Sequence, residues 1–266
     1  MIDISKIDYS VLDRSEVLLH LFHPRPEQGR AIQKTTAQDI LIPVEENAVI
    51  GARFHMKEKS AQNILFFHGN GEIVADYDDL GDMYNKMGIN FLAVDYRGYG
   101  RSTGKPTITN MMRDCHMIFD FVKKWLEENG YSGSFIIMGR SLGSASAIEL
   151  TASYKDKIDG LIIESGFAYA GPLLQLLGIN LEAIGFKESE SFWNLNKIQA
   201  FERPTLIIHA ELDHIIPFSD GQALYNASQS SDKTMLKIPG ANHNNIFQLG
   251  FSEYMAAVKN LMNKVV

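Results

Sequence analysis

The stretch Ser134-Phe135-Ile136-Ile137-Met138-Gly139-Arg140-Ser141-Leu142-Gly143-Ser144-Ala145-Ser146-Ala147-Ile148-Glu149-Leu150 decides the fold. Its first five residues are a mostly apolar run of strand length. Its last nine are mostly small, as suits a helix lying close to a sheet. Between them stands G-x-S-x-G, at Gly139 to Gly143. A strand that turns sharply into a helix lifts such a serine off the sheet, and the flanking glycines remove Cβ atoms that would clash. Unpaired backbone N–H groups at the helix start then lie near the hydroxyl.

Similar apolar runs recur along the chain: Asn63 to Phe67, Asn90 to Val94, Gly160 to Ile163, Thr205 to Ile208 and Met235 to Ile238. Continuous rather than alternating apolarity predicts strands covered on both faces, as in a parallel sheet. Between the runs lie helix-length segments. Met111, Cys115, Ile118, Phe119, Val122, Trp125 and Leu126 fall at steps of three and four and mark an amphipathic helix, which Asn129-Gly130 ends. Gln38 to Val44 and Ala48 to Met56 flank Glu45-Glu46-Asn47 and predict an antiparallel hairpin at one edge. The expected fold class is α/β, one domain over residues 1–266, with a mostly parallel central sheet and helices on both faces. In the first 35 residues, Val17 to Phe22 is apolar, but His23-Pro24-Arg25-Pro26 stops any helix or central strand there.

One crossover is too long. Between Ile163 and Thr205 the chain far exceeds the dozen or so residues a crossover helix needs. It carries Pro172-Leu173-Leu174-Gln175-Leu176-Leu177 and Phe192-Trp193. We expect a small helical insertion, approximately 166–200, acting as a lid at the sheet's carboxyl edge.

Composition narrows the function. The chain has 266 residues, 45% of them hydrophobic and 21% charged, which excludes wholesale disorder and fibrous repeats. A formal charge of −7 without a basic block argues against a nucleic-acid partner. The single cysteine, Cys115, forbids an intrachain disulfide and suits a reducing compartment. The amino terminus lacks an apolar signal core, and no run approaches the roughly 18 apolar residues of a membrane helix. These features predict a soluble, cytoplasmic protein with no integral membrane segment.

G-x-S-x-G occurs a second time, at Gly100-Arg101-Ser102-Thr103-Gly104. Gly104-Lys105-Pro106 comes next, which is loop chemistry rather than a helix start, so Ser102 reads as a turn residue. The segment from Gly98 has GxGxxxG spacing and no immediate helix, so it fits neither a dinucleotide fingerprint nor a phosphate loop. His20 and His23 lack the carboxylate or cysteine neighbours a metal site needs. No cofactor and no metal are expected.

A serine hydroxyl needs a histidine to take its proton and a carboxylate to orient that histidine. After Ser141 only His209, His214 and His243 remain. His209 ends an apolar run and reads as packed. His243 lies in the polar loop Pro239 to Asn245 after the last strand and is the preferred base, with His214 the fallback. Asp213, after the strand Thr205 to Ile208, is the preferred acid. Glu164, directly after the strand Gly160 to Ile163, competes with it. For a developing oxyanion, the backbone N–H of Leu142 is one donor. The glycine-rich turn His68-Gly69-Asn70-Gly71 makes the N–H of Asn70 the other.

Taken together, His68-Gly69-Asn70-Gly71, Asp95 to Ser102, Gly139 to Gly143, Asp213 to Pro217 and Gly240-Ala241-Asn242-His243 stand in the order of the alpha/beta-hydrolase superfamily. The chain resembles its lysophospholipase and monoacylglycerol-lipase-like branch over roughly residues 37–264. The resemblance implies Ser141 as nucleophile, His243 as base, Asp213 as acid, Asn70 and Leu142 as oxyanion donors, and a structural role for Asp95 to Ser102. Two positions depart from the family pattern. Ala210 follows His209, and Asn242 precedes His243, where glycine is usual.

The expected activity is hydrolysis of an ester or thioester of a small-molecule acyl substrate through an acyl-enzyme. Leu173, Leu174, Leu176 and Leu177 are candidates to line an acyl pocket. The alternatives are an amide or peptide hydrolase with the same triad and a non-catalytic binding protein on the same fold.

Overall fold

The computed structural model describes residues 2–28 and 37–265; residues 1, 29–36 and 266 of the expected domain lie outside them. Two compact units emerge, residues 1–135 and 136–266.

In the first unit, β1 (Gln38–Glu45) and β2 (Ala48–His55) form the antiparallel hairpin read from the sequence. Pro43 sits where β1 tolerates it, beside a register shift on a strand paired along one side. β2 pairs antiparallel with β4 (Ile89–Val94), and β4 pairs parallel with β3 (Gln62–Phe67). Every residue of β4 is buried, as its unbroken apolar pattern requires. Helix α2 (Asp78–Lys86) packs on β4, and α3 (Ile108–Glu128) packs on β1.

The amino-terminal segment, for which the sequence offers no motif, is built onto α3. Its helix α1 (Ser15–Leu21) ends before Pro24, with Phe22 already extended. The Asp13 carboxylate accepts from the N–H groups of Ile108 and Thr109, and the Tyr9 N–H donates to Thr109 Oγ1. A carboxylate at a helix amino terminus satisfies orphan donors and complements the helix dipole.

In the second unit, β5 (Phe135–Arg140, from Ile136 on), β6 (Gly160–Glu164), β7 (Thr205–Ala210) and β8 (Lys233–Ile238) pair parallel in chain order. β8 is only partly buried, because it is last in the order and one flank is open. Helix α4 (Gly143–Ser153) packs on β6; α7 (Phe218–Ala227) and α9 (Phe251–Met262) pack on β7. The short α8 (Ile246–Leu249) leads into α9.

The long crossover from β6 to β7 holds two small helices, α5 (Ala170–Leu176) and α6 (Asn194–Ile198). Asp220 accepts from the N–H groups of Ala168 and Tyr169, and Glu188 from those of Ala170 and Gly171, so two carboxylates hold the start of α5. The Asn194 amide donates to the Phe167 carbonyl, and the Phe167 and Phe192 rings meet edge to face. No helix among the described residues is long and apolar enough to cross a membrane.

Candidate functional site

The carboxyl end of β5 leads into the Gly139 to Gly143 turn and then α4. A Cβ on Gly139 would lie 2.4 Å from the Gly143 carbonyl oxygen, so no larger residue fits there. Ser141 itself takes φ 50°, a left-handed conformation that a non-glycine residue adopts at a cost of about 1–3 kcal/mol. The turn is pinned by two backbone bonds, Ser141 N–H to the Glu164 carbonyl at 2.9 Å and Ser144 N–H to the Ser141 carbonyl at 3.0 Å. The Leu142 N–H sits one residue beyond the serine, where α4 begins.

Three loops of the second unit meet at this serine. His243 Nε2 is 3.0 Å from Ser141 Oγ, and His243 Nδ1 is 2.8 Å from Asp213 Oδ2. All three residues are buried. A carboxylate only accepts, so Nδ1 carries the imidazole proton and the Nε2 lone pair faces the serine hydroxyl. Asp213 is fixed on its other side, where Oδ1 accepts from the N–H groups of Ile215 and Ile216 at 3.0 and 2.9 Å. Burial works against its ionisation. The hydrogen bond from His243 and those two N–H donors outweigh it and hold the carboxyl below its ordinary value.

The competing residues are engaged elsewhere. Glu164 accepts from Arg140 Nε at 3.0 Å and from the Tyr254 hydroxyl at 2.7 Å. Its carboxylate is thus turned to β5 and α9, and Asp213 holds the His243 ring. Tyr254 carries no signal in the sequence, since it comes from the last helix with no local spacing to mark it. His209 is fully buried and donates from Nε2 to the Ile216 carbonyl. Burial pushes its pKa down, which keeps it neutral. His214 is exposed.

The other motifs lie in the first unit. Ser102 Oγ accepts from the Gly51 N–H at 2.8 Å, the role of a turn residue. His68 Nδ1 donates to the Gly69 carbonyl at 2.7 Å, and its Nε2 lies 3.2 Å from Asp95 Oδ1. Fixing the Gly69 carbonyl also fixes the Asn70 N–H, which shares its peptide plane and points the opposite way. The Asn70 side chain bonds His23 and the Tyr99 hydroxyl. Cys115 is buried and donates to the Met112 carbonyl.

A cleft of about 240 Å³ lies beside the acid loop. Phe167, Tyr169, Leu173, Leu176 and Ile215 give it apolar walls, and Asp213 and His214 lie along one side. Of the leucines on α5, Leu173 and Leu176 reach the cleft, while Leu174 turns into the core.

A family model described as Hydrolase_4, "Serine aminopeptidase, S33", matches residues 58–183. The chain is similar to human "Alpha/beta hydrolase domain-containing protein 17B", with 31% identity over 258 residues, covering 92% of this chain and 82% of the relative. It is 29% identical over 193 residues to "Alpha/beta hydrolase domain-containing protein aho-3" of Caenorhabditis elegans, spanning about half (52%) of that protein. Among solved structures, the esterase Pf2001 of Pyrococcus furiosus superposes with a TM-score of 0.74 at 20% identity, over 91% of this chain and 99% of that one. A soluble variant of monoglyceride lipase from Saccharomyces cerevisiae gives 0.70 at 20% identity, over 89% and 97%. At these identities the two structures share the fold.

Proposed function

The chain belongs to the alpha/beta-hydrolase superfamily, and from that premise we propose that it is a serine hydrolase cleaving a carboxylic ester or thioester through an acyl-enzyme. One observation carries the reading: the continuous hydrogen-bonded line from Ser141 Oγ through His243 to Asp213.

In this reading Ser141 attacks the substrate carbonyl while His243 Nε2 takes its proton. Asp213 stays ionised and stabilises the imidazolium that forms. The negative charge on the tetrahedral oxygen is met by the backbone N–H of Leu142. The N–H of Asn70 is assigned as second donor on its motif alone. Loss of one such donor commonly costs about 100- to 1,000-fold in rate. The imidazolium then protonates the leaving group. In the second half, His243 draws a proton from water as the water oxygen attacks the acyl carbonyl; the tetrahedral intermediate then collapses, the acyl carbon–Oγ bond breaks, and the imidazolium returns the proton to Ser141 Oγ. No metal or cofactor enters these steps.

The insertion between β6 and β7 is proposed as a lid, and the cleft beside it as the place for a medium or long acyl chain. The apolar walls from Phe167, Leu173, Leu176 and Ile215 support that preference. A second reading, an amide hydrolase with the same residues, draws on the description of the matching family model. A non-catalytic binding protein on this fold is the rival from outside enzymes.

A panel of p-nitrophenyl esters of increasing acyl length, run beside aminoacyl p-nitroanilides, separates these readings. Turnover rising with acyl length supports the ester reading and the acyl cleft. Turnover confined to the anilides moves the assignment to the amide reading. No turnover of either, in a folded protein that also resists a fluorophosphonate, leaves the binding protein.

A further inference from the structure

Arg140 is the residue just before the nucleophile, and it is nearly buried, with 11% of its side chain exposed. Its guanidinium points in two directions. Nε donates to Glu164 Oε1 at 3.0 Å, and Nη2 donates to the backbone carbonyl of His243 at 2.9 Å. Glu164 is held in turn by the Tyr254 hydroxyl at 2.7 Å, and its own backbone carbonyl accepts the Ser141 N–H at 2.9 Å. One closed set of bonds therefore joins the turn that carries the nucleophile, the end of β6, helix α9 and the loop that carries the base.

We propose that Arg140 is a positioning residue, which sets the His243 imidazole against Ser141 by holding the His243 carbonyl, with Glu164 and Tyr254 fixing the guanidinium. This rests on the serine-hydrolase reading above. The His243 loop is tied at its flanks, through Leu212 N–H to the Ala241 carbonyl and Asn242 N–H to Asn245 Oδ1. Those bonds place the neighbours of the histidine, and the Asn244 N–H, which shares the peptide of the His243 carbonyl, donates to Asn242 Oδ1 at 3.0 Å. These are bonds within the loop or to the acid loop; the Arg140 bond to the His243 carbonyl comes from the residue next to Ser141. The distance between nucleophile and base is thus set by a rigid planar group attached to the nucleophile strand. A guanidinium suits the task because its donors lie in one plane at fixed angles, so fixing Nε also fixes Nη2. A lysine ammonium on a flexible stem does not transmit direction in that way. Buried ion pairs are poor sources of net stability, so positional precision is the better reason for this one.

The test compares wild type with Arg140→Met, Arg140→Lys and Glu164→Gln, reading kcat and KM on the best p-nitrophenyl ester. It also reads the low-field proton resonance of the His243–Asp213 hydrogen bond. For Arg140→Met, kcat should fall about 10- to 100-fold with KM changed less than about twofold, as expected for reacting groups misplaced by a fraction of an ångström. The low-field resonance should broaden or disappear while the melting transition stays cooperative. Arg140→Lys should recover only part of the rate, and Glu164→Gln should lose about tenfold in kcat alone.

The proposal is overturned if Arg140→Met keeps kcat within twofold of wild type and retains the resonance. It is equally overturned if the loss follows the folded fraction alone. Should Arg140→Met not fold, Glu164→Gln decides by the same criteria, because an isosteric amide removes the charge that fixes the guanidinium. A wild type with no turnover and no fluorophosphonate labelling defeats the hydrolase reading instead. In that case the resonance, present in wild type and lost in the variants, still supports the positional role.

Discussion

The sequence Gly-Arg-Ser-x-Gly is written twice in this chain, at Gly100 to Gly104 and at Gly139 to Gly143, and the two copies do opposite things. In the first, the left-handed conformations fall on its two glycines, Gly100 (φ 54°) and Gly104 (φ 79°), where they cost little, and Ser102 spends its hydroxyl as an acceptor for the Gly51 N–H. In the second, the left-handed conformation falls on the serine, and its hydroxyl faces the free lone pair of an imidazole. The arginines differ in the same sense. Arg101 pairs with Glu27 and Asp39. Arg140 pairs with Glu164 and the His243 carbonyl. A motif of five letters thus has no function of its own. The residues on its carboxyl side decide: a helix start after Leu142, or Lys105-Pro106 after Gly104. The backbone strain sits on Ser141, the serine proposed as nucleophile, and strain of this kind clusters at functional sites.

The largest test of this contrast is at the serines and their partners. Ser141→Ala should lower ester turnover by at least about 10,000-fold, since it removes the proposed nucleophile. Asp213→Asn should approach the same loss, about 10,000-fold, because an amide reverses the tautomer of His243. Both are read as kcat on a p-nitrophenyl ester. A loss of that size in Glu164→Gln, with Asp213→Asn active, would transfer the acid role to Glu164.

Next come the glycines. Gly139→Ala sets a Cβ 2.4 Å from a backbone oxygen, and Gly100→Ala sets one 2.1 Å from Asp95 Oδ2 at positive φ. Each should destabilise by about 1–3 kcal/mol in chemical denaturation. Only Gly139→Ala should also lower the rate per folded molecule, because it distorts the turn carrying Ser141. Ser102→Ala leaves the Gly51 N–H without its acceptor and should cost about 1–3 kcal/mol in denaturation, with turnover per folded molecule unchanged.

The smallest effect is in acid. Asp213 is held below its ordinary value, so the unfolded chain takes the proton first as pH falls. Its contribution to stability is complete at neutral pH. It is lost as pH drops below the usual value of 3.8 and through the lower folded one. The stability difference between wild type and Asp213→Asn should therefore narrow over that window, while the difference between wild type and Ser102→Ala should not change with pH.

Most of the architecture is legible in the sequence because buried parallel strands leave an unmistakable trace. Ile89–Val94 and Thr205–Ala210 are buried throughout, and their apolar runs locate them to within a residue or two. The apolar run of β8 begins late, at Met235, because Lys233 and Thr234 lie on a flank open to solvent, where apolarity is not required. The segment before Pro24 is opaque for another reason. Its order comes from distant partners, Asp13 on the start of α3 and Arg113 on the Ile7 carbonyl, and no local period encodes those. The same holds at the site. Ser141, Asp213 and His243, which the structure brings together, are legible as candidates because each follows a strand in a known order. The bonds of Arg140 and Tyr254 join residues far apart in the chain, and only the fold brings them together.

The most direct test is to treat the folded wild-type protein with a fluorophosphonate and locate the adduct by peptide mass spectrometry. One adduct per chain, on the peptide containing Ser141, with none in Ser141→Ala and full labelling in Ser102→Ala, is the predicted result. An adduct on Ser102, or labelling that persists in Ser141→Ala, would contradict the account.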